Sequence, residues 1–586
     1  MMADLDKKKI LPETDLPSGE ELLNEGHKLQ SHWTVGSNLF LREHAVANEI
    51  EYKNKAIRNR RLMQHAHLGY RSLEHTCEAL KRIYDTCQEK DATVDRFGVC
   101  LDWSMGYPKE SRAGKVTGTG LILNGPEDFQ KLSDTVPSAM HFGDFMLGFP
   151  GALENTCAAL SAGATTIGNL GQFFTFRLPN YTDDVETTAN TVKALGLIAA
   201  QPVDVLVHSN LDDGFAAIFE DLTSALGMAI LEKYIVTDLI GAKYAVCYGH
   251  HFTEPLTRIA FQRALSVVTD GVPGSQVFGA TVLYEGDSAE NYASLASYLL
   301  SDIVAQNTLP SGHAVNPVPV TENKRIPDVD EVIDAQLHLY RLSQLAEGYE
   351  PVFNFAAIDE ICNQLVKGGR QFTENVLTGF KQAGFNCNDP FELLLALRRI
   401  GGRELERRFG IGPIPDKKPL RRQPVIPATT FTHLEEMATE YLETASAKGL
   451  FELGEKDFTI LTATTDVHEH GKVFLDMIFA NANLNVIDGG VSSDPEVIIS
   501  LAKTHNAKAI AISTYNGVAL RYTKSLLNEM KDQGINIPIL VGGRLNEIPE
   551  NSNTNLPTDV TQKIRELGAY PCADMEAAST ILSQLS

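Results

Sequence analysis

The chain has 586 residues, of which 43% are hydrophobic and 22% charged, and its formal net charge is −24. These are the proportions of an ordinary globular protein large enough for two or three domains. An acidic surface repels phosphate backbones and anionic bilayers, so neither nucleic acid nor a membrane is expected as a partner.

The eight cysteines are scattered without a CxxC pair, the amino terminus is rich in Lys and Asp with no apolar leader, and no apolar run is long enough to cross a bilayer. Together these predict a cytoplasmic protein with reduced thiols. Residues 1–90 read as a polar, helical arm. From residue 91 to 410 short apolar runs recur, each ending near a polar or small residue: 97–102, 120–124, 138–141, 164–169, 203–209, 243–249, 277–284 and 312–316. Amphipathic stretches such as 185–200 and 215–240 separate many of them. Strands alternating with helices imply parallel pairing, and about eight such units predict a TIM-like (β/α)8 barrel. Residues 330–410 look helical. Residues 411–457 hold a proline-rich linker (Pro413, Pro415, Pro419, Pro424, Pro427) and a helix. Residues 458–586 read as alternating strands and helices, a doubly wound, flavodoxin-like domain whose ligand would sit at the carboxyl ends of its strands.

The chemistry concentrates in that last segment. After the strand ending near Ala463 comes Thr465-Asp466-Val467-His468-Glu469-His470-Gly471. An imidazole is a good ligand for cobalt. A carboxylate two residues upstream can accept its other ring N–H and fix the tautomer. Asp466 stands there relative to His468, whereas His470 has no such partner, so His468 is preferred as the metal ligand. Two further strand ends carry small residues, Ser513-Thr514-Tyr515 and Gly542-Gly543, which leave room for a long ligand tail.

These three signals, in order, resemble the cobalamin-binding domain shared by methionine synthase, methylmalonyl-CoA mutase and glutamate mutase. The resemblance covers some 125 residues and includes Asn481–Val486 and Gly489–Pro495. It implies that His468 binds cobalt as the lower axial ligand with Asp466 behind it. Gly471, Ser513, Tyr515, Gly542 and Gly543 would line the rest of the cofactor site. Tyr515 belongs to a departure, since the family pattern has a leucine after the serine where this chain has Thr514-Tyr515.

The region 135–325 resembles the large subunit of glutamate mutase more weakly, through Ala139-Met140-His141, Asn169-Leu-Gly171 with Leu178-Pro179, Ser224–Gly227 with Ala245–Gly249, and Thr281–Tyr284. This resemblance implies that His141 grips substrate and that Glu322 contacts the adenosyl ribose. Met140, Leu170 and Val318 stand where the family has an Arg, a Glu and a Lys that hold substrate or cofactor. Glutamate itself is therefore not the expected substrate; an acid of the 2-methyleneglutarate type, lacking the amino group, is. Arg177 and Tyr181 are candidates for a rebuilt anion site, with Arg96 and Arg112 as others. His208, Asn210, Asp212, His250 and His251 follow strand ends and could serve a ligand or only the fold.

The resulting expectation is an adenosylcobalamin-dependent radical carbon-skeleton mutase, an isomerase acting on a small carboxylic acid, and a homodimer. Two other corrinoid roles share the His468 site: methyl transfer, which would want a zinc–thiolate cluster and a helical cap, and a B12-dependent sensor, which would want a DNA-binding module.

Overall fold

The structure is a computed structural model that describes residues 5–115, 120–284, 286–414, 422–465, 469–515, 517–547 and 557–584. It divides into two units, Met1–Thr175 with Asp183–Thr429, and Phe176–Thr182 with Thr430–Ser586.

The first unit is an eight-stranded, all-parallel sheet. Its strands are β1 Gln64–Leu68, β2 Val94–Val99, β3 Ala139–Phe142, β4 Thr166–Ile167, β5 Leu206–Asn210, β6 Lys243–Cys247, β7 Gln276–Val277 and β8 Ala314–Val315. The spatial order is β6-β5-β4-β3-β2-β1-β8-β7. Ser275 and Phe278 donate backbone hydrogen bonds to Val246 and Tyr248 at 3.0 and 2.7 Å, which joins β7 to β6 and closes the ring. A crossover helix follows each strand, from Leu73–Gln88 after β1 to Val329–Leu345 after β8. Side-chain caps start many of them; Asp328 and Glu331 form a reciprocal capping box on the last.

The barrel is the fold that the alternating pattern predicts, but two of its members differ. The first strand, Gln64–Leu68, lies inside the segment read as a helical arm, between the helices Glu49–Arg58 and Leu73–Gln88. The run at 120–124 makes only one isolated bridge, Leu121 to Leu101. The polar sequence Gln-His-Ala-His-Leu concealed β1: its histidines face the barrel axis, where a strand usually carries aliphatic residues.

The helix Glu49–Arg58 seals the amino-terminal end. Lys53 Nζ donates to the carbonyls of Ser275 (3.0 Å) and Gly312 (2.8 Å), just ahead of β7 and β8. Glu49 pairs with Arg96 of β2 at 2.9 Å and accepts from Thr166 Oγ1 of β4 at 2.6 Å. Buried charges persist only when paired in this way.

The second unit holds β9 Thr459–Thr464, β10 Asn485–Asp488, β11 Ala509–Thr514, β12 Ile539–Gly543 and β13 Tyr570–Cys572, all parallel, in the order β10-β9-β11-β12-β13. Leu461, Ala463, Ile510, Ile512, Ile539 and Val541 of the inner strands pack on Ile498, Leu526 and Ile564 of the helices. Strands this apolar belong inside a sheet covered on both faces. The order reverses between β9 and β11, which opens a crevice at their carboxyl ends. Among the described residues, no helix is long and apolar enough to cross a membrane.

Candidate functional site

In the second unit, the crevice between β9 and β11 is bounded by Thr464, Thr465, Ser513 and Thr514. Thr465 N–H donates to the Ser513 carbonyl at 3.0 Å, and Thr464 N–H to that of Gly490 at 3.2 Å. The loop after β10 folds over the end of β9: Gly489 N–H reaches Thr462 O at 2.8 Å, and Ser492 N–H reaches Thr464 Oγ1 at 3.3 Å. Asp466 and His468 lie outside the described residues. The chain resumes at Glu469 and enters the helix His470–Asn481.

The other expected cofactor residues fall together here. Gly471 stands against Ser513, whose Oγ would overlap a Cβ built on the glycine. Gly543 has φ +88°, and a Cβ on it would run into the Thr514 carbonyl. Gly542 is different: a Cβ there would meet only Cys572 O at 3.5 Å, ordinary contact. The Tyr515 ring lies 4.3 Å beneath the Arg544 guanidinium. The site fits a polar ligand tail in one further respect, since the Ser492 hydroxyl is buried and has no hydrogen-bond partner among the described residues.

Lys472, one residue beyond Gly471, escaped the sequence reading. Its side chain is 1% exposed, and its Nζ lies 2.7 Å from Asp476 and 2.8 Å from Asp488. Thr462 Oγ1 of β9 donates to the same Asp476 at 2.5 Å. This network ties the first turn of the helix to the ends of β9 and β10.

In the first unit, the barrel axis is lined by histidines. The His141 ring of β3 lies 4.3 Å from that of His208 on β5 and 6.4 Å from that of His65 on β1. Met140, beside His141 on a pleated strand, takes the opposite face. Arg96 is fully buried rather than at the surface; its Nη1 donates to Gln276 at 2.6 Å and meets His65 Nδ1 at 3.4 Å. Burial first, and Arg96 second, hold His141 and His208 well below the usual histidine range, and the same two causes act on His65. All three are therefore neutral at pH 7. The ring nitrogens His65 Nε2 and His141 Nδ1 are buried without a hydrogen-bond partner among the described residues. Gly98 of β2 leaves room for the cluster: a Cβ there would sit 2.5 Å from His67 Nδ1 and 3.0 Å from His65 Nε2.

At the carboxyl ends of the strands, Gln172 Nε2 donates to Asp144 at 3.1 Å, and Asn169 Nδ2 to Asp213 at 2.6 Å. Asp212 accepts from the backbone N–H groups of His250 (2.9 Å) and His251 (3.1 Å), fixing that turn; burial pushes its carboxyl up to about 6 against those bonds. His250 Nδ1 is 2.6 Å from Thr281 Oγ1, and Asn210 caps the turn that contains Asp212. Glu322 lies half-buried on the turn after β8; burial first, then the charges of Asp144 and Glu322, raise the Cys100 thiol.

The remaining candidates have local roles. Arg112 donates to Tyr107 O, Met105 O and Asn155 and so braces a loop. Leu170 is buried at the start of the helix Leu170–Thr175, and Val318 is buried with its N–H on Tyr298 Oη. Arg177 and Tyr181 belong to the segment grouped with the second unit, where Asn180 N–H donates to Asp494 at 3.0 Å. Arg177 itself donates to the Phe176 carbonyl at 2.8 Å.

Residues 457–559 match the family model of the B12 binding domain. Among curated proteins, glutamate mutase sigma subunit 1 of Haloarcula marismortui is 32% identical over 81 residues, 14% of this chain and 54% of that subunit. Methionine synthase of Mycobacterium tuberculosis is 21% identical over 276 residues, 46% of this chain and 22% of that enzyme. This chain thus spans about half of the first relative and about a fifth of the second. Among solved structures, a cobalamin-binding protein from Desulfitobacterium hafniense aligns over 27% of this chain and 80% of its own, at 17% identity and a TM-score of 0.19. Residues 457–559 of the C-terminal unit are a cobalamin-binding domain.

Proposed function

We propose that the chain is an adenosylcobalamin-dependent carbon-skeleton mutase acting on a small carboxylic acid. The observation that carries the reading is the presence, in one chain, of a cobalamin-binding unit and a closed parallel barrel whose axis is polar and shielded. Adenosylcobalamin supplies radical chemistry through its cobalt–carbon bond when bound. The protein's part is to position and to exclude water. His468 would hold the cobalt, with Asp466 on its other ring nitrogen. Gly471, Ser513, Tyr515, Gly542 and Gly543 would line the cofactor, and Ser492 offers it a hydroxyl with no partner among the described residues. In the barrel, neutral His141 can donate or accept a hydrogen bond without bringing charge, and Glu322 stands at the strand ends where a bound acid or ribose would be met. Arg177 and Tyr181 remain candidates for the anion.

The test is anaerobic incubation with adenosylcobalamin and a panel of small acids, followed by freeze-quench electron paramagnetic resonance. A cob(II)alamin–organic radical pair appearing with one acid supports the reading and identifies the substrate class. Tight cobalamin binding with no radical from any acid removes the mutase assignment.

A second reading, corrinoid methyl transfer, is favoured by the alignment with methionine synthase over 46% of the chain. Methyl-group turnover from methylcobalamin, with no radical signal, would establish it instead.

A further inference from the structure

We propose that His67, Cys100 and Asp144, at the carboxyl ends of β1, β2 and β3, hold a divalent cation of the zinc class. One ligand atom from each of the three lies within 4.8 Å of the others. They come from three different strand ends of one barrel, so the sheet rather than a flexible loop brings them together. An imidazole, a thiolate and a carboxylate form a donor set that zinc accepts, and three protein ligands leave a four-coordinate ion one open position.

The Cys100 thiol donates a hydrogen bond to Asp144, which an ion would replace on displacing the thiol proton, and two details leave room for that ion. His67 Nε2 and Asp144 Oδ2 are 3.9 Å apart, too far for a hydrogen bond. Two ligands each about 2.0–2.2 Å from one tetrahedral ion stand roughly 3.5 Å apart, close to that spacing. His67 Nδ1 is shielded and has no hydrogen-bond partner among the described residues, so among them no hydrogen bond at that nitrogen opposes ligation by the ring. Gly98 and Gly69 keep the space: a Cβ on the first would crowd His67 Nδ1 at 2.5 Å, and one on the second would press on Cys100 Sγ at 3.4 Å. Gln172, which donates to Asp144 at 3.1 Å, is then the outer partner that orients a ligating carboxylate.

The open position would take a carboxylate oxygen. That assignment rests on the proposed acid substrate, whereas the cation does not. An ion here would answer a need that the side chains leave open: Arg96 is committed to Glu49 and Gln276, and Arg112 to its own loop.

The experiment uses the full chain freed of corrinoid and of substrate, so its outcome is separable from the mutase assignment. Zn2+ retention after gel filtration over a weak chelator is measured, and Cd2+ is titrated while thiolate-to-metal charge-transfer absorption is followed. The expected result is one equivalent of Zn2+ per chain and a saturable band at one equivalent of Cd2+. Cys100→Ser should abolish the band, and Asp144→Asn should weaken Zn2+ at least tenfold. Cys387→Ser and His470→Ala should leave both readings unchanged. No retained Zn2+, or retention unchanged in Cys100→Ser, overturns the proposal. Should the variants fail to fold, the native chain decides by itself, because absence of a saturable band at one equivalent of Cd2+ also overturns it.

Discussion

Gly471 and Ser513 are packed so closely that the Cβ of any larger residue at 471 would overlap the serine hydroxyl and stand 3.3 Å from its Cβ. The contact joins the start of the helix His470–Asn481 to the end of β11, across the crevice where the cofactor tail is expected. Gly471→Ala should therefore cost about 1–3 kcal/mol through forced displacement of Ser513 or of the helix, and it should weaken cobalamin binding. Ser513→Gly in the same chain should recover most of the stability, because the clashing atoms are gone. A double-mutant cycle by urea unfolding measures the coupling; additive effects would show that the two residues do not press on each other.

Adjacent glycines at the end of β12 should behave differently. Gly543→Ala places a side chain at φ +88° and against the Thr514 carbonyl, so a loss of at least about 1–3 kcal/mol is expected. Gly542→Ala meets only a 3.5 Å contact and should change stability by no more than about 0.5 kcal/mol. If the cofactor tail passes over Gly542, the same substitution will still lower cobalamin affinity. Unfolding and cobalamin titration of the two variants separate backbone need from ligand need.

The Lys472 ammonium is enclosed by Asp476 and Asp488, and Lys472→Met would leave two carboxylates facing each other with no cation between them. Asp488 is largely exposed and can be rehydrated, so a cost of about 3 kcal/mol is expected, at the lower end for a broken buried pair. The denaturant midpoint of the second unit should fall, while that of the barrel should stay unchanged.

His468 and His470 differ in their expected roles. His468→Ala should weaken cobalamin binding at least tenfold and remove the nitrogen splitting from the electron paramagnetic resonance spectrum of the cob(II) form. His470→Ala should keep that splitting. The opposite pattern would move the ligand to His470.

Stability should have an acid limb and an alkaline limb with different owners. His65, His141 and His208 are buried and neutral, with native values below 6.5. The unfolded chain binds protons there that the native chain refuses. Their contribution is present above about pH 6.5 and is lost as pH falls below it, by up to about 1.4 kcal/mol per pH unit for each histidine. Glu406, buried against the N–H groups of Glu220 and Asp221, is pushed up to about 8, and Glu232 to about 7. Their contribution is full below the ordinary glutamate value and is lost as pH rises through those values. His208→Gln should flatten the acid limb and Glu406→Gln the alkaline limb, read by chemical denaturation between about pH 5 and 8.

The cobalamin-binding unit was legible in the sequence because its signals are local. Each inner strand is a run of aliphatic residues, and each strand end announces itself by Gly471, Ser513 or Gly542-Gly543. Its last strand, Tyr570–Cys572, has only three residues and carries no such run. The barrel was legible as a class, through the alternation of short apolar runs with helices, but not strand by strand. Strands of two residues, Thr166–Ile167, Gln276–Val277 and Ala314–Val315, are too short to show a period.

What the sequence determined by itself is the doubly wound unit with its expected ligand His468, and the parallel α/β character of the rest. Only the tertiary structure decided which strands close the ring and what lines it. β1 reads as polar, and it becomes a strand because it pairs with β2 and β8, with His65 meeting Arg96 of β2 and the His141 ring of β3, 31 and 76 residues away. The grouping of His67, Cys100 and Asp144 has the same origin. Spacings of 33 and 44 residues form no motif along the chain, and parallel strand pairing sets their carboxyl ends side by side.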